Sequence, residues 1–198
     1  MEYSLISIGR QFGSGGHKVG QLIADELGIP YYDKELLTLA AERGALPEQK
    51  LAKYDEKKHN NYFYELNYRG NENAHKGIPT AEALFELQSD IIRKLAESGK
   101  GVFVGRCADY VLKDEPGVCS VYLYAEESYR IKHLSEKEGR AVTAEEIRKE
   151  DKMRSSYYSY YTGRNWYDME NYDLAINLAT IEAEEAAQLI LDYMEKRK

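Results

Sequence analysis

The chain of 198 residues is 43% hydrophobic and 31% charged, enough apolar content for one globular domain with a sizeable core and too much for a disordered tail protein. Lys and Arg number 27 against 34 Asp and Glu, a formal charge of −7 with a pI near 5.3, the opposite of the basic footprint left by general nucleic-acid binding. Cys107 and Cys119 are too few for a disulfide framework and lack metal-ligand spacing, and the acidic N-terminus and short apolar runs suit neither a signal peptide nor a bilayer span; a cytoplasmic protein with no membrane partner and no protein-ligated metal is expected.

Residues 3–8 (YSLISI) are β-rich and run into GRQFGSGG. Residues 18–27 then carry Val19, Leu22, Ile23 and Leu27 at the spacing of one helix face. Gly28 stops that helix, Pro30 opens a short strand over 30–32, and Asp33 is placed to cap a second helix over 34–43. Residues 47–77 are polar, rich in Tyr and Asn and without a clean period, and read as an excursion from the core that is flexible or faces a ligand. Residues 80–98 form an amphipathic helix, with Ala83, Leu84, Leu87, Ile91 and Leu95 on one side, and the apolar run 102–104 suits a central parallel strand. A strand over 118–124, helices over 126–137 and 143–161, a last strand over 174–177 and a closing helix over 181–196 complete the chain. This alternation predicts an α/β fold, a parallel sheet covered by helices on both faces.

A strand entering a glycine-rich turn and then a helix aims backbone N–H groups and the positive end of the helix dipole at one spot, an anion site. Gly13, Gly15 and Gly16 let the backbone approach phosphate oxygens, while Arg10, His17 and Lys18 bring cationic or hydrogen-bonding side chains. The plainer alternative is a tight strand-to-helix turn that needs positive φ.

The string ISIGRQFGSGGHKVGQLIADELGIPYYDKELL resembles the opening of the cytidylate kinase-like family, a branch of the P-loop nucleoside-monophosphate kinases. VGRCADYVL at 104–112, VYLYAEESYRIKHL at 121–134, and residues 146–177 with Asp151, Arg154, Trp166, Asp173 and Asn177 extend the resemblance in the family's order. It implies a three-layer sandwich with a central parallel sheet of about five strands. The implied organisation is a single domain over 1–198, its core formed by 1–44, 79–125 and 172–198, with an acceptor-binding insert at about 45–78 and a lid at about 126–165. The implied activity is transfer of the γ-phosphoryl of ATP, with Mg2+, to a nucleoside monophosphate, CMP or dCMP being the first candidates.

The loop departs from the family's GxxGxGKGT pattern. Arg10 stands at the first Gly, Gly13 and Gly15 are kept, and Gly16 and Lys18 take the positions of the phosphate-binding Lys and the magnesium-binding Thr. Ser14 is the hydroxyl left in the loop. Arg10, Gly13, Ser14, Gly15, Gly16, His17 and Lys18 are therefore the expected ATP-binding set, with Lys18 offered as replacement for the missing charge. A scaffold that binds nucleotides or anions without efficient catalysis is the alternative, as is a kinase of another small acceptor.

Asp33 sits in a YYD stretch that resembles the family's YLD step, and is expected to orient a nucleoside or a phosphate-binding arginine, or to cap a helix. Arg106 follows an apolar strand, where doubly wound sheets bind ligands, and offers the fork that phosphate takes. In the lid, Arg130, Arg140, Arg148 and Arg154 are candidates for charge stabilisation. Arg148, Asp151 and Arg154 lie at i, i+3, i+6, so Asp151 is expected to pair with one of those arginines. Each of these charges has a rival reading as a solvated helix face.

Tyrosine supplies 18 residues against 4 Phe and 1 Trp. Tyr54, Tyr62, Tyr64 and Tyr68 fall in the insert and Tyr157, Tyr158, Tyr160 and Tyr161 at the end of the lid helix, either to stack on a nucleobase or to glue these segments to the core or to a second subunit in a homodimer. Small-molecule nucleotides are the expected partners.

Overall fold

The computed structural model describes residues 4–43, 55–56 and 81–197. In chain order the elements are β1 (Ser4–Arg10), α1 (Gly16–Leu27), β2 (Tyr31–Tyr32), α2 (Glu35–Arg43), α3 (Ala81–Ala96), β3 (Lys100–Val104), α4 (Ala108–Val111) and β4 (Val118–Tyr124). They are followed by α5 (Glu127–Glu138), α6 (Ala144–Thr162), a 3-10 turn (Met169–Asn171), β5 (Leu174–Asn177) and α7 (Ala183–Lys196).

The strands form a single five-stranded sheet in the order β2-β3-β1-β4-β5, and every pairing is parallel. Central β1 sets Ile6 beside Val102 and Cys119, and Ile8 beside Val104 and Val121. Because side chains alternate across a strand, those residues face one layer, where they pack on Val19 and Ile23 of α1 and Ile190 and Leu191 of α7. Leu5 and Phe103 point the other way, onto Leu36 of α2, Leu84 and Ile92 of α3, and Leu112 just after α4. Two separate cores on opposite faces make the three-layer α/β arrangement that the sequence predicts.

The remaining helices pack near the strand ends. Leu134 of α5, Val142 just before α6 and Ile147 of α6 form a small apolar cluster. Tyr157 and Tyr158 of α6 enter an aromatic cluster with Cys107, Tyr122 and Trp166. Thr143, expected inside α6, is instead its N-cap, exchanging hydrogen bonds with Glu146 in a capping box. The short α4 and the 3-10 turn went unpredicted, since neither is long enough to show a helical period.

Candidate functional site

The carboxyl-terminal edge of the sheet carries charge from three strands at once. Arg10 ends β1, Asp33 follows β2, and Arg106 lies two residues beyond β3. All three are buried, each about 4% exposed, and the parallel order brings them together because β1 and β3 are neighbours and β3 also pairs with β2.

Asp55 and Glu56 close over them. Arg106 makes a two-pronged contact with Asp55, Nε to Oδ1 at 3.1 Å and Nη2 to Oδ2 at 2.6 Å. Its Nη1 donates to Asp33 and, at 3.1 Å, to the Val104 carbonyl. Arg10 Nη1 donates to Glu56 Oε1 at 2.7 Å, and its Nη2 lies 3.6 Å from Asp33. Arg154 reaches in from α6, with Nε 3.7 Å from Glu56 Oε2 and Nη1 donating to the Arg10 carbonyl at 3.1 Å. The turn Gly105-Arg106-Cys107 has positive φ throughout, at 76°, 52° and 55°. It thereby presents the Arg106 N–H to Glu56 Oε1 at 3.3 Å. A side chain at Gly105 would collide with both Glu56 and Arg10 Nη1, so glycine is what allows this contact.

Three guanidinium groups thus face three carboxylates, with His17 alongside. Burial works against ionisation of Asp33, but a hydrogen bond from His17 and the charges of Arg10 and Arg106 outweigh it and hold the carboxyl at about 2. Glu56 is held below the usual carboxylate range in the same way: burial opposes, and Arg10, Arg106 and Arg154 prevail. For Arg106 burial pulls down, while Glu56 and Asp55 push its pKa further above the ordinary arginine value. A cleft runs beside this cluster, lined in part by Arg10, Glu56, Arg106, Asp109, Arg154 and Tyr157.

The glycine loop lies next to it. Gly13 and Gly15 both have positive φ, and Gly15 caps the start of α1. Ser14 Oγ is buried without a hydrogen-bond partner among the described residues. A Cβ at Gly16 would come within 2.9 Å of Arg10 Cβ. Arg10 at the first loop position therefore excludes a lysine at Gly16, and the two departures from the family pattern are one steric fact. His17, half exposed, hydrogen-bonds Tyr31 at 3.1 Å and approaches Asp33 at 2.7 Å, linking the loop to the arginine cluster.

The structure does not gather every sequence-predicted residue here. Lys18 turns away to Glu184 at 2.7 Å, with 59% and 57% of the two side chains exposed. Arg140 pairs with Glu138 and Glu146 on the surface, and Arg148 pairs with Glu127. Asp151 does not hold Arg148 or Arg154 along its own helix as the spacing suggests. It accepts from Arg130 of α5 at 2.6 Å and from the Phe12 N–H at 2.8 Å, while Arg130 also donates to the Phe12 carbonyl. Arg148 stays at the surface on Glu127 and Arg154 turns to the Arg10 carbonyl and Glu56, so the buried aspartate is satisfied by Arg130 and the loop it packs against.

Other participants escaped sequence reasoning. Asp55 and Glu56 lie in the aperiodic insert, most of which, with its four tyrosines, falls outside the described residues. Asp109 is buried and accepts from Tyr158 Oη at 2.6 Å; its only signal was its place two residues after the Gly-Arg-Cys turn. Tyr161 stacks on Phe85 with centroids 4.1 Å apart, and Tyr160 donates to Glu82, joining α6 to α3.

No group of three or more ligating side chains suited to a metal ion occurs among the described residues. Lys18 stands where a magnesium-binding hydroxyl is usual, and the described residues offer no protein cage; a magnesium ion arriving with ATP would take ligands from phosphates and water.

A parallel sheet whose central strand enters a glycine loop and helix, with arginines converging at the strand ends, defines a kinase-type phosphotransferase of the P-loop class. Residues 5–180 match the cytidylate kinase-like family, and the chain belongs to it. A curated relative, the cytidylate kinase of Archaeoglobus fulgidus, is 24% identical over 98% of this chain and 96% of its own. Among solved structures, an uncharacterized protein from Eubacterium ventriosum shares 29% identity with a TM-score of 0.70, over 98% of this chain and 99% of that one. A gluconokinase from Sinorhizobium meliloti is 18% identical with a TM-score of 0.58, over 98% and 93%, a likeness of fold.

Proposed function

We propose that the protein transfers the γ-phosphoryl group of ATP to a nucleoside monophosphate, with CMP and dCMP as the first acceptors to test. The observation that carries this reading is the convergence of Arg10, Arg106 and Arg154, from two strand ends and a separate helix, beside the glycine loop that opens α1. Phosphoryl transfer needs little covalent chemistry from the protein; it needs the two anionic substrates positioned and their charge neutralised. The loop's backbone N–H groups and the α1 N-terminus would receive the donor phosphates. The arginines would receive the acceptor phosphate, Arg106 through its fork, and Asp33 would hold Arg106 and His17 in place. A relative named cytidylate kinase, matched almost end to end, supports the choice of acceptor.

Release of ADP in a coupled assay, with a panel of nucleoside monophosphates and with gluconate as a sugar-acid control, tests the reading. Turnover confined to CMP and dCMP is expected. Turnover of gluconate alone would move the enzyme to another acceptor class, and no turnover with any acceptor would sink the kinase assignment.

A second reading is favoured by one specific arrangement. Lys18 is paired at the surface with Glu184 and Gly16 has no side chain, so the loop lacks the lysine that usually reaches the β- and γ-phosphates. A nucleotide-binding protein without efficient catalysis follows from that loss, and calorimetric binding of ATP and CMP with no ADP release would establish it.

A further inference from the structure

We propose that Asp55 and Glu56 are the internal occupants of an anion site built by Arg10, Arg106 and Arg154, and that a phosphate monoester binds there by displacing them. The inference rests on the reading that these arginines receive the acceptor, and it adds that the unliganded protein holds the acceptor site shut with its own carboxylates.

The contacts made by the acidic pair are those a phosphate would make. Asp55 takes the fork of Arg106 through both oxygens, and Glu56 takes Arg10, the Arg106 N–H and the edge of Arg154. Arginine forks bind carboxylates and phosphates by the same two parallel hydrogen bonds. Backbone N–H groups in a left-handed turn form a concavity for either anion.

Charge balance points the same way. With the pair in place, Arg10, Arg106 and Arg154 face Asp33, Asp55 and Glu56, and the cluster is neutral. Without the pair, a buried excess of two positive charges remains. Buried charge left unpaired is strongly unfavourable, so the site needs an occupant at all times. A phosphate monoester carries a charge of about −1.5 to −2 at pH 7 and matches the excess.

The internal fit is also incomplete. Glu56 has φ of 51°, a left-handed conformation that a non-glycine residue adopts at a cost. Arg10 Nε and Tyr157 Oη are buried without a hydrogen-bond partner among the described residues, and both residues line the cleft. A phosphate offers oxygens beyond the two of a carboxylate, enough to serve donors that Glu56 leaves idle.

The opposing view makes Asp55 and Glu56 permanent struts that hold the arginines ready. Calorimetric titration of inorganic phosphate into the full chain at constant ionic strength separates the two, using the wild type, Glu56→Gln and the double variant Glu56→Gln/Arg106→Ala, each checked for a cooperative unfolding transition. Displacement predicts that Glu56→Gln binds phosphate about tenfold or more tighter than the wild type, and that the gain disappears in the double variant, which assigns it to this site and not to the glycine loop. Equal or weaker binding by folded Glu56→Gln, or a gain that survives in the double variant, overturns the proposal. Amide exchange of the wild-type peptide containing Asp55 and Glu56 gives an answer independent of any variant: acceleration by saturating phosphate supports displacement, and unchanged or slowed exchange refutes it. Displacement by phosphate without nucleotide turnover would sink the kinase reading and leave this one standing. CMP turnover with weaker phosphate binding by Glu56→Gln would do the reverse.

Discussion

Arg106 shows how a single residue can be legible in sequence while its environment is not. An arginine just beyond an apolar strand points to the carboxyl-terminal edge of a parallel sheet, and the structure places it there, buried and gripping two aspartates. Asp33 was equally readable by position. Asp55 was not, because it lies in a polar stretch with no period, and its contact spans 51 residues of chain. Replacing Arg106 by Lys keeps the charge and removes the planar fork. The expected outcome is a KM for the acceptor raised by about ten- to a hundredfold, the loss of one charge-assisted bidentate contact, with a smaller change in kcat. Steady-state kinetics at saturating ATP checks it.

At the scale of elements, α5 and α6 are tied to the loop that follows β1 by one motif. Asp151 takes the Phe12 N–H, Arg130 takes the Phe12 carbonyl and Asp151, and Arg154 takes the Arg10 carbonyl. These contacts fix the backbone of residues 10–12 and with it the direction in which Arg10 enters the site. Arg130 and Asp151 are 6% and 5% exposed. Asp151→Ala leaves a buried guanidinium without its carboxylate, and a loss of about 3–5 kcal/mol in unfolding free energy is expected from urea titration. The helices themselves were placed by the sequence, although Thr143 was expected inside α6 and the structure makes it the cap. Their pairing was not, because a spacing of three residues within α6 says nothing of which neighbouring helix supplies the partner.

For the whole molecule, charge sets the response to pH. The acid excess gathers near the C-terminus: residues 168–198 hold eight acids and three bases, 3 − 8 = −5, whereas residues 126–164 hold nine bases and eight acids, 9 − 8 = +1. The net −7 therefore leaves residues 126–164 locally balanced. Inside the site, Asp33 is depressed from 3.8 to about 2 on folding. A carboxyl whose pKa falls on folding adds stability that is complete above its unfolded value and lost as pH drops through its folded value. At about 1.4 kcal/mol per unit, Asp33 contributes about 2 kcal/mol near neutrality, and Glu56 acts in the same direction. Unfolding free energy should hold steady from pH 7 to pH 5 and decline between about pH 4 and pH 2. Asp33→Asn should begin lower and show a shallower decline across that window, measured by denaturant titration at each pH.

The sequence by itself determined the layered α/β fold, the strand-loop-helix turn and the family, because apolar periodicity, glycine placement and motif order are local properties of the chain. Tertiary structure alone decided which charges meet. It turned Lys18, Arg140 and Arg148 outward to surface partners and drew Arg10, Arg106 and Arg154 together. It also seated two carboxylates from the insert among those arginines, since buried charges must find their opposites wherever the packed chain brings them.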